Sequence, residues 1–365
     1  MVTPHLPPYQ AANALLPHVL GVELEKRSHE VSFLTFRTDA PPRAKTAYVK
    51  RRPSFRVTRI PQVLEALETK QAIAPLLAGA DVVHVHSNTW MNQVAARASV
   101  AARKPYVLTH YGTEIWHHDG KNRAFHRLNR EAEHVTLYSA ALLERARELN
   151  VPMKATSVVY PAVDLLFRSL PQAERDAVRA PLVRSAEFLL FNVKRLHPLA
   201  DHATLLRAFA LLDPTEFRAK LVIAGSGEER AALDHLAEEL DIANRVRFLG
   251  LVPNQEVAKL HAAADLFVLS SRLEATPTVV LEALACGTRV VSTDNPGGLE
   301  LGSMFPDDLK VVPRENPEAL ADGIASALRE NRRVSERTSS LLDERFSLRG
   351  LVDRYLEIYQ AATRT

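Results

Sequence analysis

The feature that most constrains this chain is a rhythm that runs through it twice. Apolar runs of strand length alternate with helical stretches: VSFLTF (31–36), DVVHVH (81–86), PYVLTHYG (105–112) and HVTLYS (134–139) come first. FLLFNV (188–193), KLVIAG (220–225), RVRFLG (245–250), DLFVLS (265–270) and TRVVST (288–293) follow in the second half. Stretches such as WMNQVAARASVAAR, EERAALDHLAEEL and NQEVAKLHAAA lie between them. Near-continuous apolar strands separated by helical crossovers describe parallel sheets covered on both faces. LPQAERDAVRAPLVRS (170–185) breaks the rhythm with charges and prolines, so it reads as a linker. At 365 residues the chain also exceeds the commonest single-domain size. The expected fold class is α/β, with two doubly wound Rossmann-like domains. In such sheets ligands bind beyond the carboxyl ends of the strands.

The two ends of the chain add detail. MVTPHLPPYQ supplies only Val2 and Thr3 before its first proline, short for an opening strand. SLRGLVDRYLEIYQAA spaces Leu351, Tyr355, Leu356 and Tyr359 along one helical face, with Ser347 as N-cap, and such a face must pack on something.

Composition removes several classes. Apolar content of 46% with 24% charged residues fits a folded chain, and a formal net charge of +3 gives little support for nucleic acid as partner. Cys286 is the only cysteine, which excludes an intramolecular disulfide and a multi-cysteine metal site and suits the cytoplasm. No apolar run approaches the roughly 18 residues of a membrane span, and the N-terminus has no secretory pattern. His84 and His86 share one strand face, with His117 and His118 nearby, but no third ligand stands at convincing spacing, so no metal is expected. GSGEER lacks the third glycine of a dinucleotide fingerprint, which disfavours a nicotinamide enzyme. Residues 43–59, RAKTAYVKRRPSFRVTR, hold seven Lys or Arg and no acid. That run suits a solvated loop, a phosphorylated acceptor, or peripheral contact with anionic headgroups on the inner face of a membrane.

The chemistry concentrates in EATPTVVLE (274–282), where two glutamates flank seven residues just before ALACG. Thr276 is expected to cap a helix whose first residue is Pro277, with Gly287 just past its end. Glu274 then sits in the loop after DLFVLS, and Glu282 lies inside the helix at the same strand end. A helix N-terminus between two carboxylates suits a diphosphate, with hydroxyls accepted on either side. The competing reading is a solvated loop glutamate and an exposed helical one.

On SRLEATPTVVLEALACGTRVVSTDNPGGLE (271–300) the chain resembles the retaining glycosyltransferases of family 4, which have the GT-B architecture. LVIAGSGEE, RVRFLG, DVVHVHS, GTEIW and VVYPAVDLLF extend the resemblance over nearly the whole length. It implies two Rossmann-like domains facing a central cleft: residues 1–175 bind the acceptor, 176–345 bind a nucleotide sugar, and a helix over 346–365 crosses back to the first domain. It also implies a nucleoside diphosphate sugar as donor substrate, an acceptor with a free hydroxyl, and no cofactor. By that likeness Arg195 holds the diphosphate and Glu282 the ribose hydroxyls. Glu274, with the backbone of Ala275, Thr276, Pro277 and Thr278, holds the donor sugar. Lys194, Gly225 and Gly227 belong to the same donor site, and RVRFLG borders the base. Gln10 and Asn13 are candidates for the acceptor, and His110 for the donor sugar.

The chain departs from the family at three places. The family's phosphate-binding lysine stands five or six residues after the arginine, where this chain has Ala200 and Asp201, so either Lys194, His197 or His202 substitutes or the loop is arranged differently. The first loop, PPYQAANALLP, lacks a Gly-Gly pair. THYGTE puts Tyr111 where relatives have a histidine and places His110 one residue earlier. Ala200 and Asp201 keep a catalytically impaired nucleotide-sugar-binding protein in view beside the transferase, and a GT-B nucleotide-sugar epimerase is the nearest alternative enzyme. A two-lobed solute-binding protein is a third alternative.

Overall fold

A computed structural model describes residues 1–7, 9, 12–38, 45–52, 60–183 and 188–364. The chain forms two compact units, Met1–Pro161 with Arg349–Thr365, and Ala162–Leu348. In the first unit, helix α1 (Ala12–Lys26) precedes strands β1 (Phe33–Phe36) and β2 (Thr46–Val49) and helix α2 (Ile60–Ala78). Strand β3 (Val83–His86), helix α3 (Trp90–Ala101), strand β4 (Tyr106–His110) and helices α4 (Thr113–Trp116) and α5 (Arg123–Glu131) follow. Strand β5 (His134–Leu137), helix α6 (Ala140–Glu148) and strand β6 (Thr156–Val158) complete this run.

The second unit contains helix α7 (Gln172–Arg179), strand β7 (Phe188–Val193), helix α8 (His202–Leu211), strand β8 (Ala219–Ala224) and helix α9 (Arg230–Glu239). Strand β9 (Val246–Gly250), helix α10 (Asn254–Ala263), strand β10 (Leu266–Leu269), helix α11 (Thr278–Ala285) and strand β11 (Arg289–Thr293) come next. Helix α12 (Pro296–Met304), strand β12 (Leu309–Val312) and helices α13 (Pro317–Glu330) and α14 (Glu336–Arg345) end this unit. Helix α15 (Leu348–Thr363) then carries the chain back into the first.

Both sheets are parallel. In the first unit β1 pairs with β2, and β3 to β6 pair in sequence. Val2 joins the two sets, bridging Leu34 on one side and Val85 on the other. The expected short opening strand is thus a single bridging residue at the centre of the sheet. In the second unit the order is β12-β11-β10-β7-β8-β9. Numbered within that unit, β7 is the first strand and β10 the fourth, and they lie side by side. Strand order therefore reverses between β7 and β10, and the crevice outside the carboxyl ends at such a reversal is where doubly wound sheets bind ligands. Leu190, Leu221, Leu266, Val268 and Val291 of that sheet pack with Leu205, Phe209, Leu320 and Ile324 of α8 and α13 in one core.

The linker reading of 170–185 is corrected in part. Residues 172–179 are helix α7, and the compact units divide after Pro161. Arg175 Nε donates to the Ala262 carbonyl at 3.0 Å. Arg179 reaches both the Ala263 carbonyl and Asp265, each at 2.8 Å. Those bonds tie α7 to the end of α10, so the charges that suggested a linker are anchors. The last helix lies with the first unit, where Leu351, Val352, Tyr355 and Ile358 are buried. His84 Nδ1 meets the Tyr359 hydroxyl at 2.6 Å, and Tyr355 shares Thr109 and Thr136 at 3.3 Å each. The His84 and His86 rings lie 3.8 Å apart, tilted by 34°, and bond tyrosines, and among the described residues no group of three potential ligands could hold a metal. No helix among the described residues is long and apolar enough to cross a membrane.

Candidate active site

The candidate site belongs to the second unit and is built at the reversal in strand order. Lys194 and Arg195 follow β7 directly, and Arg272 and Glu274 stand in the loop after β10. Two segments eighty residues apart in sequence therefore end side by side. Lys194 Nζ lies 2.6 Å from Glu274 Oε1, with the two side chains 27% and 14% exposed. Arg195 is far more open, at 73%, and its guanidinium lies 3.5 Å from Glu228.

Close backbone approach holds these loops. A Cβ on Gly225, whose φ is +132°, would stand 2.0 Å from the Lys194 carbonyl, and one on Gly227 would stand 2.1 Å from that of Leu196. The two glycines therefore serve first to let the end of β8 lie against the Lys194–Leu196 backbone. The loop carrying Glu274 is fixed likewise. The Gly297 amide donates to the Glu274 carbonyl at 3.0 Å, and a Cβ at Gly297 would collide with Pro277 and the Ala275 carbonyl.

Helix α11 begins one residue later than expected. Pro277 is the N-cap with no side-chain cap bond, and Thr278 is the first helical residue, so Thr276 does not cap. The Val280 amide bonds the Pro277 carbonyl, while the amides of Thr278 and Val279 have no acceptor within the helix. Those donors sit at the positive end of the helix dipole, beside Glu274.

Glu282 lies one turn further along α11, its side chain 19% exposed. Burial pushes its carboxyl from 4.5 up to about 7, against the Thr278 hydroxyl and the Lys194 charge, while Asp164 adds to the rise. His261 Nε2 of α10 stands 3.9 Å from Glu282 Oε2. That separation is not an ion pair, because burial drives His261 down to about 3 and leaves the ring neutral at pH 7.

The structure chooses among the substitutes for the missing lysine. Ala200 is buried, and Ser270 Oγ donates to its carbonyl at 2.9 Å. His202 is buried, bonds Asn192 at 3.0 Å and is pushed down to about 4 by burial, so it supplies no charge at neutral pH. His197 caps the short turn 198–200 through the Leu199 amide. Lys194 alone of the three brings a cation between the paired glutamates. Asp201 has a left-handed backbone (φ +50°), accepts from Thr204 at 2.9 Å, and is matched by Arg272 at 3.2 Å. The aspartate is thus neutralised locally. Arg272 went unremarked in the sequence, although its place at the carboxyl end of a strand, two residues before Glu274, is a signal of its own.

Several candidates fall elsewhere. His110 is fully buried, held by Asn129 at 2.9 Å with Phe125 beside it, so it has no surface to offer a sugar. The extended strand turns His110 inward, while the Tyr111 hydroxyl bonds His86 at 2.7 Å. Asn13 lies in the first turn of α1, where its carbonyl accepts from the Thr3 hydroxyl. Gln10 lies outside the described residues, as do residues 43, 44 and 53–59 of the basic run.

This arrangement can hold a diphosphate on amides and cations and can accept hydroxyls on two carboxylates. Comparison with known proteins supplies the family. Residues 18–166 match the model for Glycosyltransferase Family 4, and residues 174–340 match that for Glycosyl transferases group 1. The chain is a GT-B glycosyltransferase. An N-acetyl-alpha-D-glucosaminyl L-malate synthase of Bacillus anthracis is 28% identical over 93% of this chain and 91% of its own. A D-inositol 3-phosphate glycosyltransferase of Saccharomonospora viridis is 37% identical over 57% of this chain and 50% of its own. In fold the glycosyltransferase resembles Anabaena HepE, solved in complex with UDP, at a TM-score of 0.81 and 20% identity over 99% of both chains. It also resembles the sucrose-phosphate synthase of Thermosynechococcus elongatus, at a TM-score of 0.78 and 18% identity over 98% and 94% of the chains. The relatives named here for an activity are synthases and a glycosyltransferase, which sets the epimerase reading aside.

Proposed function

We propose that this glycosyltransferase transfers a sugar from a uridine diphosphate donor to a hydroxyl of a small acceptor, with retention of anomeric configuration and without a metal ion. The observation that carries the donor site is the Lys194–Glu274 pair across β7 and β10, beside the open first turn of α11. Lys194, Arg195 and the amides of Thr278 and Val279 take the diphosphate. Glu282 accepts from the ribose hydroxyls, and Glu274 from those of the sugar. The solved complexes of HepE with UDP and with UDP-glucose favour uridine as the base. The malate and inositol phosphate in the relatives' names favour a small anionic hydroxyl compound as acceptor.

In the reaction the acceptor oxygen forms a bond to the anomeric carbon on the face from which the diphosphate leaves. The bond between that carbon and the phosphate oxygen breaks, and the acceptor proton passes to the leaving phosphate. The protein contributes position and charge: cations and helix amides stabilise the departing diphosphate as its negative charge grows. With the cations supplied by side chains, the rate should be unchanged by a chelator.

Calorimetric titration of UDP, GDP and ADP into the unmodified chain, Glu282→Ala and Arg195→Ala tests the donor site. Preferential binding of UDP, weakened by both substitutions, is expected. A chain that binds none of the three, or variants that bind and transfer like the parent, would refute it. The anomeric proton coupling in the product reads retention against inversion.

A further inference from the structure

His261 is a costly residue where it stands. Its side chain is fully buried, and both ring nitrogens lack a hydrogen-bond partner among the described residues. Around the ring stand Phe267 at 4.8 Å, Phe191 at 5.0 Å and Phe167 at 6.1 Å between centroids. A neutral imidazole carries one N–H and one bare nitrogen, and leaving buried polar groups unpaired in an apolar box costs about 1–3 kcal/mol each. A phenylalanine or leucine would fit the same box without that cost. One polar group lies just out of reach: Glu282 Oε2, 3.9 Å from His261 Nε2, whereas hydrogen bonds of this kind form at about 2.7–3.2 Å. Closing the gap takes a movement of roughly 1 Å by the Glu282 side chain.

We propose that His261 is a positioning residue whose Nε2–H closes onto Glu282 Oε2 when a donor ribose engages the carboxylate, fixing the orientation of that carboxylate for the ribose hydroxyls. The inference rests on the reading of Glu282 as the ribose acceptor. The other groups facing Glu282 are accounted for. The Thr278 hydroxyl bonds it from α11, the Lys194 charge faces it from the end of β7, and Asp164 faces it from the segment before α7. Cys286, the C-cap residue of α11, keeps its thiol protonated, pushed up to about 12 by burial. Among the described residues, His261 is the one that lies within reach of the carboxylate and lacks a hydrogen-bond partner of its own. A charged carboxylate accepts two ribose hydroxyls more strongly than the neutral acid does, and an N–H donor favours the charged form. Ligand binding and closure of the His261 bond therefore support each other.

The test is titration of the best-binding nucleoside diphosphate among UDP, GDP and ADP into the full chain, H261F, H261Q, E282A and the H261F/E282A double variant, over about pH 6 to 8.5. Loss of one hydrogen bond to a charged group predicts that H261F weakens binding about tenfold or more near pH 7. H261Q, which retains an amide donor, should keep most of the affinity. The pH below which binding fades should move upward in H261F, and H261F should add nothing once Glu282 is alanine. An equal loss in the E282A background, or an unmoved pH profile, would reduce His261 to a packing residue and overturn the proposal. Should H261F fail to fold, H261N reads the same pH profile, because its shorter amide cannot span the gap. Nucleotide binding that every His261 variant leaves intact sinks this inference alone. No binding to the parent chain sinks the donor reading and this inference together.

Discussion

Glu282→Gln should make the empty protein more stable at neutral pH and poorer at holding its donor. Burial holds the Glu282 carboxyl near 7 in the folded chain against 4.5 for the free group. That gap, at about 1.4 kcal/mol per pH unit, corresponds to about 3 kcal/mol. The sign follows from which state keeps the proton. Below about pH 4.5 folded and unfolded chains both carry the neutral acid, and the site costs nothing. Between about 4.5 and 7 the unfolded chain releases the proton while the folded chain retains it, so stability falls as pH rises. Above about pH 7 the full penalty is present. Glutamine keeps the shape and can still accept from Thr278, but it has no charge to desolvate. The variant should therefore exceed the parent by about 3 kcal/mol at pH 8 and by less than about 1 kcal/mol at pH 5. Urea unfolding at the two pH values measures the difference, and hydrogen exchange of the β10 and β11 amides reads the second unit by itself. The same variant should bind UDP at least about tenfold more weakly, since a charged acceptor is replaced by a neutral one. A stability difference that is the same at both pH values, or a variant less stable than the parent at pH 8, would refute burial as the cause.

Three further outcomes are expected. Gly225→Ala places a methyl 2.0 Å from the Lys194 carbonyl at a φ of +132°, so it should lower both thermal stability and UDP affinity by shifting the end of β7. Asp201→Ala removes the acceptor for Thr204 and the partner of Arg272 and puts alanine in a left-handed backbone. It should cost about 1–3 kcal/mol in urea unfolding, and Asp201→Gly should recover part of that. Tyr359→Phe strips the buried His84 of its 2.6 Å partner and should destabilise the first unit by about 1–3 kcal/mol, visible as faster hydrogen exchange in β3 and α15.

Strand positions were readable because each strand is an apolar run of nearly the right length. FLLFNV coincides with β7, and the other runs quoted shift by a few residues at their ends. Three strands escaped, and none had such a signature: TSV of β6 is only three residues long and partly buried throughout. TAYV of β2 is embedded in the basic run, and its first three residues are only partly buried. LKVV of β12 carries the exposed Lys310 in a four-residue strand. The helical character of 172–179 was obscured because none of its residues is buried. What holds that helix is a pair of arginines reaching backbone carbonyls, a tertiary bond with no sequence period.

The site divides along the same line. Alternation of strand and helix shows which residues stand just past a strand, and so places Lys194, Arg195 and Glu274 at carboxyl ends before any coordinates exist. Strand order is not encoded locally. A sheet running β7-β8-β9-β10 would have put Glu274 three strands away from Lys194, and every local pattern in the sequence would be unchanged. The reversal that sets β7 against β10 turns a lone lysine and a lone glutamate into a 2.6 Å pair. On the proposed donor reading, it also lets the first residue after β7 supply a positive charge that Ala200 and Asp201 do not. His261 shows the limit from the other side. Its helical spacing marks it as a core residue, and it is one. The reason a core position should hold an imidazole appears only when α10 and α11 bring it within 3.9 Å of Glu282.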